Sequence, residues 1–339
     1  MYRLTALLVL ALGVAACGDT SDKVRLTGSG ASFPYPIYAT WFKAYGRANP
    51  DVLINYQAKG SGAGIRDLIN GTVDFAGSDA AMSDAEIAEL DGGVVMIPIT
   101  AGKIVLAYNL PGLDEPLKLG REVYPQIFLG EIRRWDDPAI ARDNPGVALP
   151  ELPITVVRRA DSSGTTYAFT NHLASASDTW QRGPGRGKTV PWPDSDKIIA
   201  APKNDGVTAT ILQTPGAIGY VEYGYAKFGK LSMARLENRA GHFVLPGPGS
   251  GRAALENAVL PDDLRVWIPD PANDGAYPIV TYTWLLLRRQ NPDAGVAAAL
   301  RRLVADCLTS GQTAAVDLGY LPLPDTVVER SLSALDDVR

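Results

Sequence analysis

The sequence predicts an α/β protein built on a mostly parallel sheet, with a ligand site along one rim of that sheet. Three observations predict it. Strand-like runs alternate with helix-like runs, short polar turns rich in Gly and Ser join each strand to the next helix, and this unit recurs along the N-terminal quarter of the chain. Parallel sheets of this kind gather ligands at the carboxyl ends of their strands, so all of these turns fall on one edge.

The elements follow in order. Val24 to Leu26 reads as a first strand and runs into the turn Thr27 to Pro34. A helix is predicted from Tyr35 to about Asn49, with Ile37, Trp41, Phe42 and Tyr45 on its apolar face. Val52 to Tyr56 is a second strand, ending in Lys59 to Gly64 before a helix over Ile65 to Asn70. Val73 to Ala76 is a third strand, ending in Gly77-Ser78-Asp79, and Ser83 with Glu86 three residues on predicts a capped helix start. Ile104 to Tyr108 is a strand that leads into a second lobe, and Pro278 to Leu287 is a strand that returns the chain to the first. Pro246 to Arg252 reads as loop. Val296 to Leu308 is an amphipathic helix that Gly311 is placed to stop.

With 339 residues, 46% hydrophobic and 20% charged, the chain has the composition of a globular protein with room for two cores. Its net charge of −5 argues against nucleic acid and against a polybasic membrane contact. Two His (His172, His242) and two Cys (Cys17, Cys307) are too few for a Zn-hydrolase site, and neither His lies in a site motif. No metal or cofactor is expected.

The N-terminus reads as a targeting signal. Arg3 supplies a basic start, Leu4 to Val14 an apolar stretch too short to span a bilayer, and Val14-Ala15-Ala16-Cys17 resembles a bacterial lipobox. The expectation is a signal peptide over 1–16, lipidation of Cys17 and a tether over 17–24; the alternative is a plain secretory signal cut near Ala16. Cys307 then stands alone, without a disulfide partner.

The most informative stretch is Arg158 to Thr166. A strand-like Ile154 to Val157 leads in, and a helix-like Thr166 to Thr170 leads out. Between them lie a guanidinium fork, several hydroxyls and Gly164 at a helix start, a combination suited to a dehydrated anion. Asp161 would repel an anion but can brace Arg159; the plain alternative is an Asp helix cap beside a solvated Arg. Other motifs carry less. Gly185 to Thr189 resembles the tail of a phosphate loop, but position 182 is Arg182 and no strand precedes it, so it reads as surface loop. Gly28-Ser29-Gly30 lacks the third Gly of a dinucleotide fingerprint, because Phe33 stands there. Arg133 to Asp137 reads as a solvated helix end anchored by Trp135.

Taken together, these turns resemble the phosphate-binding proteins of bacterial ABC phosphate importers. The resemblance runs from about Leu26 to Val328. It rests on Gly28 to Pro34, Val73 to Asp79, Leu129 to Asp137, Val157 to Thr165 and Pro215 to Tyr223, in that order. It implies a two-lobed type II periplasmic binding fold, with lobe one over 25–103 and 279–328, lobe two over 104–278, and the ligand in the cleft between them. It implies phosphate held by Ser32, Phe33, Ser61, Asp79, Arg159, Ser163, Gly164 and Thr165, with Asp161 supporting Arg159. It further implies delivery to an ABC permease by hinge motion of a monomer in the periplasm or at the cell surface, anchored through lipid on Cys17. Two departures stand out: Gly62-Ala63 follows Ser61 where Ser-Gly is common, and Asp194 to Pro202 replaces a Gly-rich loop.

Asp79 distinguishes phosphate from its rivals. An ionised carboxylate only accepts hydrogen bonds, and phosphate at neutral pH still carries a proton to donate while sulfate does not. A sulfate or molybdate receptor is therefore disfavoured, whereas arsenate keeps the proton and is not rejected. A phosphatase would need a metal cluster or an activated nucleophile; Ser32, Ser61 and Ser163 are candidates, but no His lies in any of the site motifs. A surface lipoprotein for phosphate sensing or adhesion is the remaining alternative.

Overall fold

The computed structural model describes residues 23–339 apart from positions 114 and 257. The signal segment, Cys17 and most of the tether lie outside the described residues.

Strands β1 (Val24–Gly30), β2 (Val52–Ala58) and β3 (Phe75–Ser78) pair in parallel in the order β2-β1-β3. Strand β4 (Val94–Tyr108) is buried along its whole length and runs through both halves of the molecule. The second half contains a short β5 (Lys118–Leu119), then β6 (Thr155–Arg159), β7 (Ile198–Ala201) and β8 (Ala217–Glu222). The short strands β9 (Ser232–Met233), β10 (Arg235–Glu237) and β11 (Phe243–Val244) follow, and β12 (Val280–Arg288) returns to the first half. The main sheet runs β2-β1-β3-β12-β4-β8-β6-β7. Up to Lys103, β4 pairs antiparallel with β12; from Ile104 it pairs antiparallel with β8. One long strand is thus shared by the two halves, pairing with β12 in the first and with β8 in the second. Opposite Pro98, which cannot donate to the ladder, the β4–β12 register slips between Thr283 and Trp284.

Helices α1 (Tyr35–Ala48), α2 (Ser61–Ile69) and α3 (Asp84–Ala88) follow β1, β2 and β3. The second half carries α4 (Val123–Leu129), α5 (Pro138–Asp143), α6 (Gly164–Ala176), α7 (Asp178–Arg182), α8 (Lys203–Gln213), α9 (Tyr223–Phe228) and α10 (Pro248–Leu255). The chain ends in α11 (Ala294–Leu308), α12 (Ala315–Leu318) and α13 (Asp325–Ala334). The apolar face predicted for α1 is buried, as Ile37, Trp41, Phe42 and Tyr45 join Tyr38 in the core. Ser83 and Glu86 form the expected reciprocal cap of α3.

Several boundaries differ from expectation. The second helix begins at Ser61, not Ile65, because its Gly residues are packing devices rather than loop formers. A Cβ on Gly64 would lie 2.5 Å from the Cα of Gly30, so only Gly lets α2 settle on β1. Strand β3 starts at Phe75, and β4 begins ten residues before Ile104, through an apolar run that Pro98 disguises. Pro246 to Arg252 is not all loop: Pro248 opens α10, and the N–H of Gly247 donates to Ser250 Oγ at 3.0 Å. Gly251 there lies where a Cβ would strike Leu321 at 2.6 Å. Helix α11 ends at Leu308 as expected, but Gly311 does not stop it. Gly311 sits in a following 3-10 turn, where its carbonyl accepts from Trp41 Nε1 at 2.7 Å.

Candidate functional site

The turns after β1, β2, β3, β6, β7 and β8 all open on the seam between the two halves. Ser32 and Phe33 follow β1. Ser61 is the first residue of α2, and Asp79 follows β3. Across the seam, Arg159 ends β6, Ser163 caps α6, and Gly164 and Thr165 are its first residues. The N–H groups of Gly164 and Thr165 therefore have no acceptor within their helix. The α6 cap is Ser163, whose Oγ accepts from Thr166 N–H at 3.1 Å, so the simple reading of Asp161 as the cap is replaced. The Ser163 N–H is not free, since it donates to Lys188 O at 2.9 Å.

Hydrogen bonds draw the expected residues together. Asp79 N–H donates to Ser61 Oγ at 3.2 Å. The Asp79 carboxylate accepts from Thr283 Oγ1 at 2.9 Å on one oxygen and from Thr165 Oγ1 at 3.3 Å on the other. Arg159 Nη1 donates to Thr165 Oγ1 at 3.2 Å. The rest of its fork meets Asp161 through two bonds, Nε to Oδ1 at 2.9 Å and Nη2 to Oδ2 at 2.5 Å. That bidentate pair fixes the guanidinium plane. Ser32, Phe33, Ser61, Asp79, Arg159, Ser163 and Thr165 are all buried.

The halves touch closely here, and Gly residues permit it. A Cβ on Gly164 would lie 2.5 Å from Ser61 Oγ and 2.8 Å from Asp79 N. Gly62, the first departure, has its N–H donating to Ser162 O at 3.0 Å, and a Cβ there would meet Ser162 Oγ at 2.1 Å. Ser61 stays in place, and the side chain absent at 62 is the space that Ser162 fills. Gly60 adopts φ +98°, a conformation that favours Gly.

Burial sets the protonation of the two carboxylates differently. Desolvation pushes Asp79 up to about 7, against the lowering pull of the Thr283 bond, the Arg159 charge and the Thr165 bond. Asp161 also feels burial, but the Arg159 bonds and charge outweigh it and hold Asp161 below the usual carboxylate range. His172 lies further along α6 and is engaged elsewhere. Its Nδ1 donates to Pro269 O at 2.7 Å, leaving Nε2 to accept from Tyr124 at 2.8 Å, and burial pushes its pKa down to about 4. Among the described residues no group of three or more His, Cys, Asp or Glu is arranged to hold a metal ion.

Three contributors, a Thr pair and an Asn, were not legible as site residues. Thr281 and Thr283 alternate on β12, and both reach Asp79, Thr281 Oγ1 donating to its backbone carbonyl at 3.4 Å. Asn204, at the start of α8 after the second departure, donates through N–H and Nδ2 to Ser32 Oγ at 3.2 and 3.0 Å. Alternating Thr within an apolar strand was the available signal for the first. For the second it was the Asn204-Asp205-Gly206 run that follows the altered loop.

A family model for a PBP superfamily domain matches residues 18–306. The chain is 37% identical over 326 residues to a phosphate-binding protein PstS of Pasteurella multocida, covering 95% of this chain and 93% of that protein. It is 36% identical over 323 residues to a protein of the same name in Haemophilus influenzae, covering 94% of each. The fold matches that of a high-affinity periplasmic phosphate-binding protein solved with phosphate at pH 8.5. The TM-score is 0.76 at 21% identity, over 90% of this chain and 92% of that one. A phosphate-binding protein of Stenotrophomonas maltophilia matches with a TM-score of 0.73 at 21% identity, over 91% and 93%. At that identity the structural matches carry the fold alone.

Proposed function

The chain belongs to the PBP superfamily and, within it, to the family of PstS phosphate-binding proteins, and from that premise we propose that it captures inorganic phosphate and hands it to an ABC-type phosphate permease. The observation that carries this reading is the composition of the seam: one buried acceptor, Asp79, set among hydroxyl, backbone and guanidinium donors from both halves. A phosphate ion presents that mixture in reverse, oxygens that accept and one proton that donates.

In this reading Ser32, Phe33, Ser61 and Asp79 hold the ion from lobe one, over 25–103 and 279–328. Arg159, Ser163, Gly164 and Thr165 hold it from lobe two, over 104–278. Asp161 keeps Arg159 in one rotamer. Both lobes contact the ion fully only when closed, so phosphate shifts an open–closed equilibrium by its differential affinity for the two states. The protein binds phosphate without chemistry on it, with Asp79 accepting a hydrogen bond from the ion rather than activating a Ser hydroxyl. It works as a monomer outside the inner membrane, lipid-anchored through Cys17, and arsenate competes.

The test is calorimetry with phosphate, sulfate and arsenate at neutral pH, on the mature chain lacking Cys17. Tight phosphate binding without a sulfate signal supports the reading. Sulfate binding of similar strength refutes the role of Asp79.

A further inference from the structure

Asn204 is fully buried and makes bonds in opposite directions. Its Oδ1 accepts from Glu222 N–H at 3.0 Å. A backbone N–H can only donate, so this contact settles which end of the amide is oxygen. The Nδ2 end must then face the seam, where it donates to Ser32 Oγ at 3.0 Å and reaches Thr165 Oγ1 at 3.4 Å. The Asn204 N–H adds a second donor to Ser32 Oγ at 3.2 Å.

A hydroxyl oxygen has two lone pairs, and both of Ser32's are taken. Its O–H is all that remains, and among the described residues it has no acceptor. Ser32 is 2% exposed, so bulk water does not serve it. The lead-in to Asn204 is unusual as well. Lys203 adopts φ +57°, a left-handed conformation rare outside Gly, and its N–H donates to Asp161 Oδ1 at 2.9 Å. The carboxylate that braces Arg159 therefore also sets the turn that aims Asn204.

We infer that Asn204 is a positioning residue: by saturating the lone pairs of Ser32 from across the seam, it makes the Ser32 hydroxyl a donor that only an oxyanion in the cleft can satisfy. The inference rests on the phosphate reading above and adds a residue of lobe two that acts through one of lobe one. The positioning holds only when the halves are together, so Ser32 becomes a directed donor on closure.

The test is a double-mutant cycle on phosphate affinity, with Asn204→Ala, Ser32→Ala and the pair, each also melted without phosphate. Each single change is expected to weaken binding about tenfold or more, and the pair no more than the worse single, because both remove one directed donor. A loss in the pair equal to the product of the single losses overturns the inference, since Asn204 would then act independently of Ser32. Should Asn204→Ala not fold, Asn204→Asp serves: it is isosteric, keeps the acceptor for Glu222 N–H and lacks both Nδ2 hydrogens. Because the new carboxylate also repels the anion, Asn204→Asp is read with and without Ser32→Ala: a loss that Ser32→Ala abolishes supports the inference, whereas a loss that persists undiminished in the Ser32→Ala background, or binding like wild type, overturns it. Wild type that binds no phosphate brings down the phosphate reading and this inference together. Wild type that binds while the cycle is additive brings down this inference alone.

Discussion

Replacing Asp79 by Asn removes a charge and little volume, and the structure says what should follow. The carboxylate is 2% exposed, and each of its oxygens already accepts from a Thr hydroxyl. Opposite phosphate it still has lone pairs to accept the ligand's proton. Opposite sulfate it meets oxygens with no proton and like charge. At pH 8 phosphate is mostly a dianion like sulfate, so charge alone does not separate them; what separates them is the hydrogen bond that phosphate donates to the buried carboxylate and sulfate leaves unmade, at a cost of about 4 kcal/mol, or roughly a thousandfold in affinity. Wild type should therefore prefer phosphate by about a thousandfold or more, and Asp79→Asn should lose most of that preference, because an amide can donate to sulfate. The assay is calorimetric titration with both anions at pH 8. Sulfate then gives a second check, since it does not titrate near neutrality while Asp79, pushed up to about 7, does. As pH falls from 8 to 6 wild type gains protonated Asp79, whose O–H can donate, so sulfate affinity should rise in wild type and stay flat in Asp79→Asn. A variant that kept the wild-type preference would refute the argument.

The same carboxylate predicts a stability effect. Its folded pKa of about 7 exceeds the ordinary value of 3.8. The folded state thus holds the extra proton between those values, and stability falls as pH rises through that window. Asp79→Asn should raise the phosphate-free melting temperature at pH 8, by an amount worth at most about 4 kcal/mol, and the gain should vanish near pH 4. Gly62→Ala should weaken phosphate binding by roughly 1–3 kcal/mol through overpacking against Ser162. Ser162→Gly in the same chain should restore it, and calorimetry showing no rescue would refute the steric account. Arg159→Lys gives up the bidentate pair with Asp161 and the bond to Thr165. At about 1.5–3 kcal/mol per hydrogen bond to a charged group, phosphate affinity should drop between about tenfold and a hundredfold.

Much of the rim was legible because its chemistry is local. Strand, turn and helix sit next to one another in sequence, so Ser32, Ser61, Asp79 and the Arg159 turn announce themselves within short windows. The α6 start was readable for the same reason, although the cap proved to be Ser163. What the sequence hid depends on pairing across long separations. Thr283 meets Asp79 only because β12 returns between β3 and β4, and Asn204 meets Ser32 only because the start of α8 lies across the seam from the turn after β1. The Gly residues of α2 misled for a related reason: they read as loop until the neighbour each must accommodate is known.

Closure itself follows from where the donors are. With the halves together, the N–H groups of Gly164 and Thr165 and the hydroxyl of Ser32 face the seam without protein acceptors among the described residues, and Asp79 loses its hydration. Each buried donor left unmet costs about 1–3 kcal/mol, so closing on nothing is uphill by several kcal/mol, whereas closing on an oxyanion satisfies all of them at once. The contacts that work without the anion are neutral hydrogen bonds, such as Gly62 N–H to Ser162 O and Tyr225 Oη to Ser32 O at 2.7 Å, and two partly exposed ion pairs, Lys188 with Glu86 and Arg265 with Asp84, each worth about 1 kcal/mol or less. The ion therefore adds several kcal/mol in favour of closure, and a permease that reads the closed shape reads occupancy. Small-angle scattering should show the radius of gyration contracting when phosphate is added to wild type. It should show no contraction in Gly164→Ala, whose Cβ would lie 2.5 Å from Ser61 Oγ in the closed form. Equal dimensions with and without phosphate in wild type would refute the coupling.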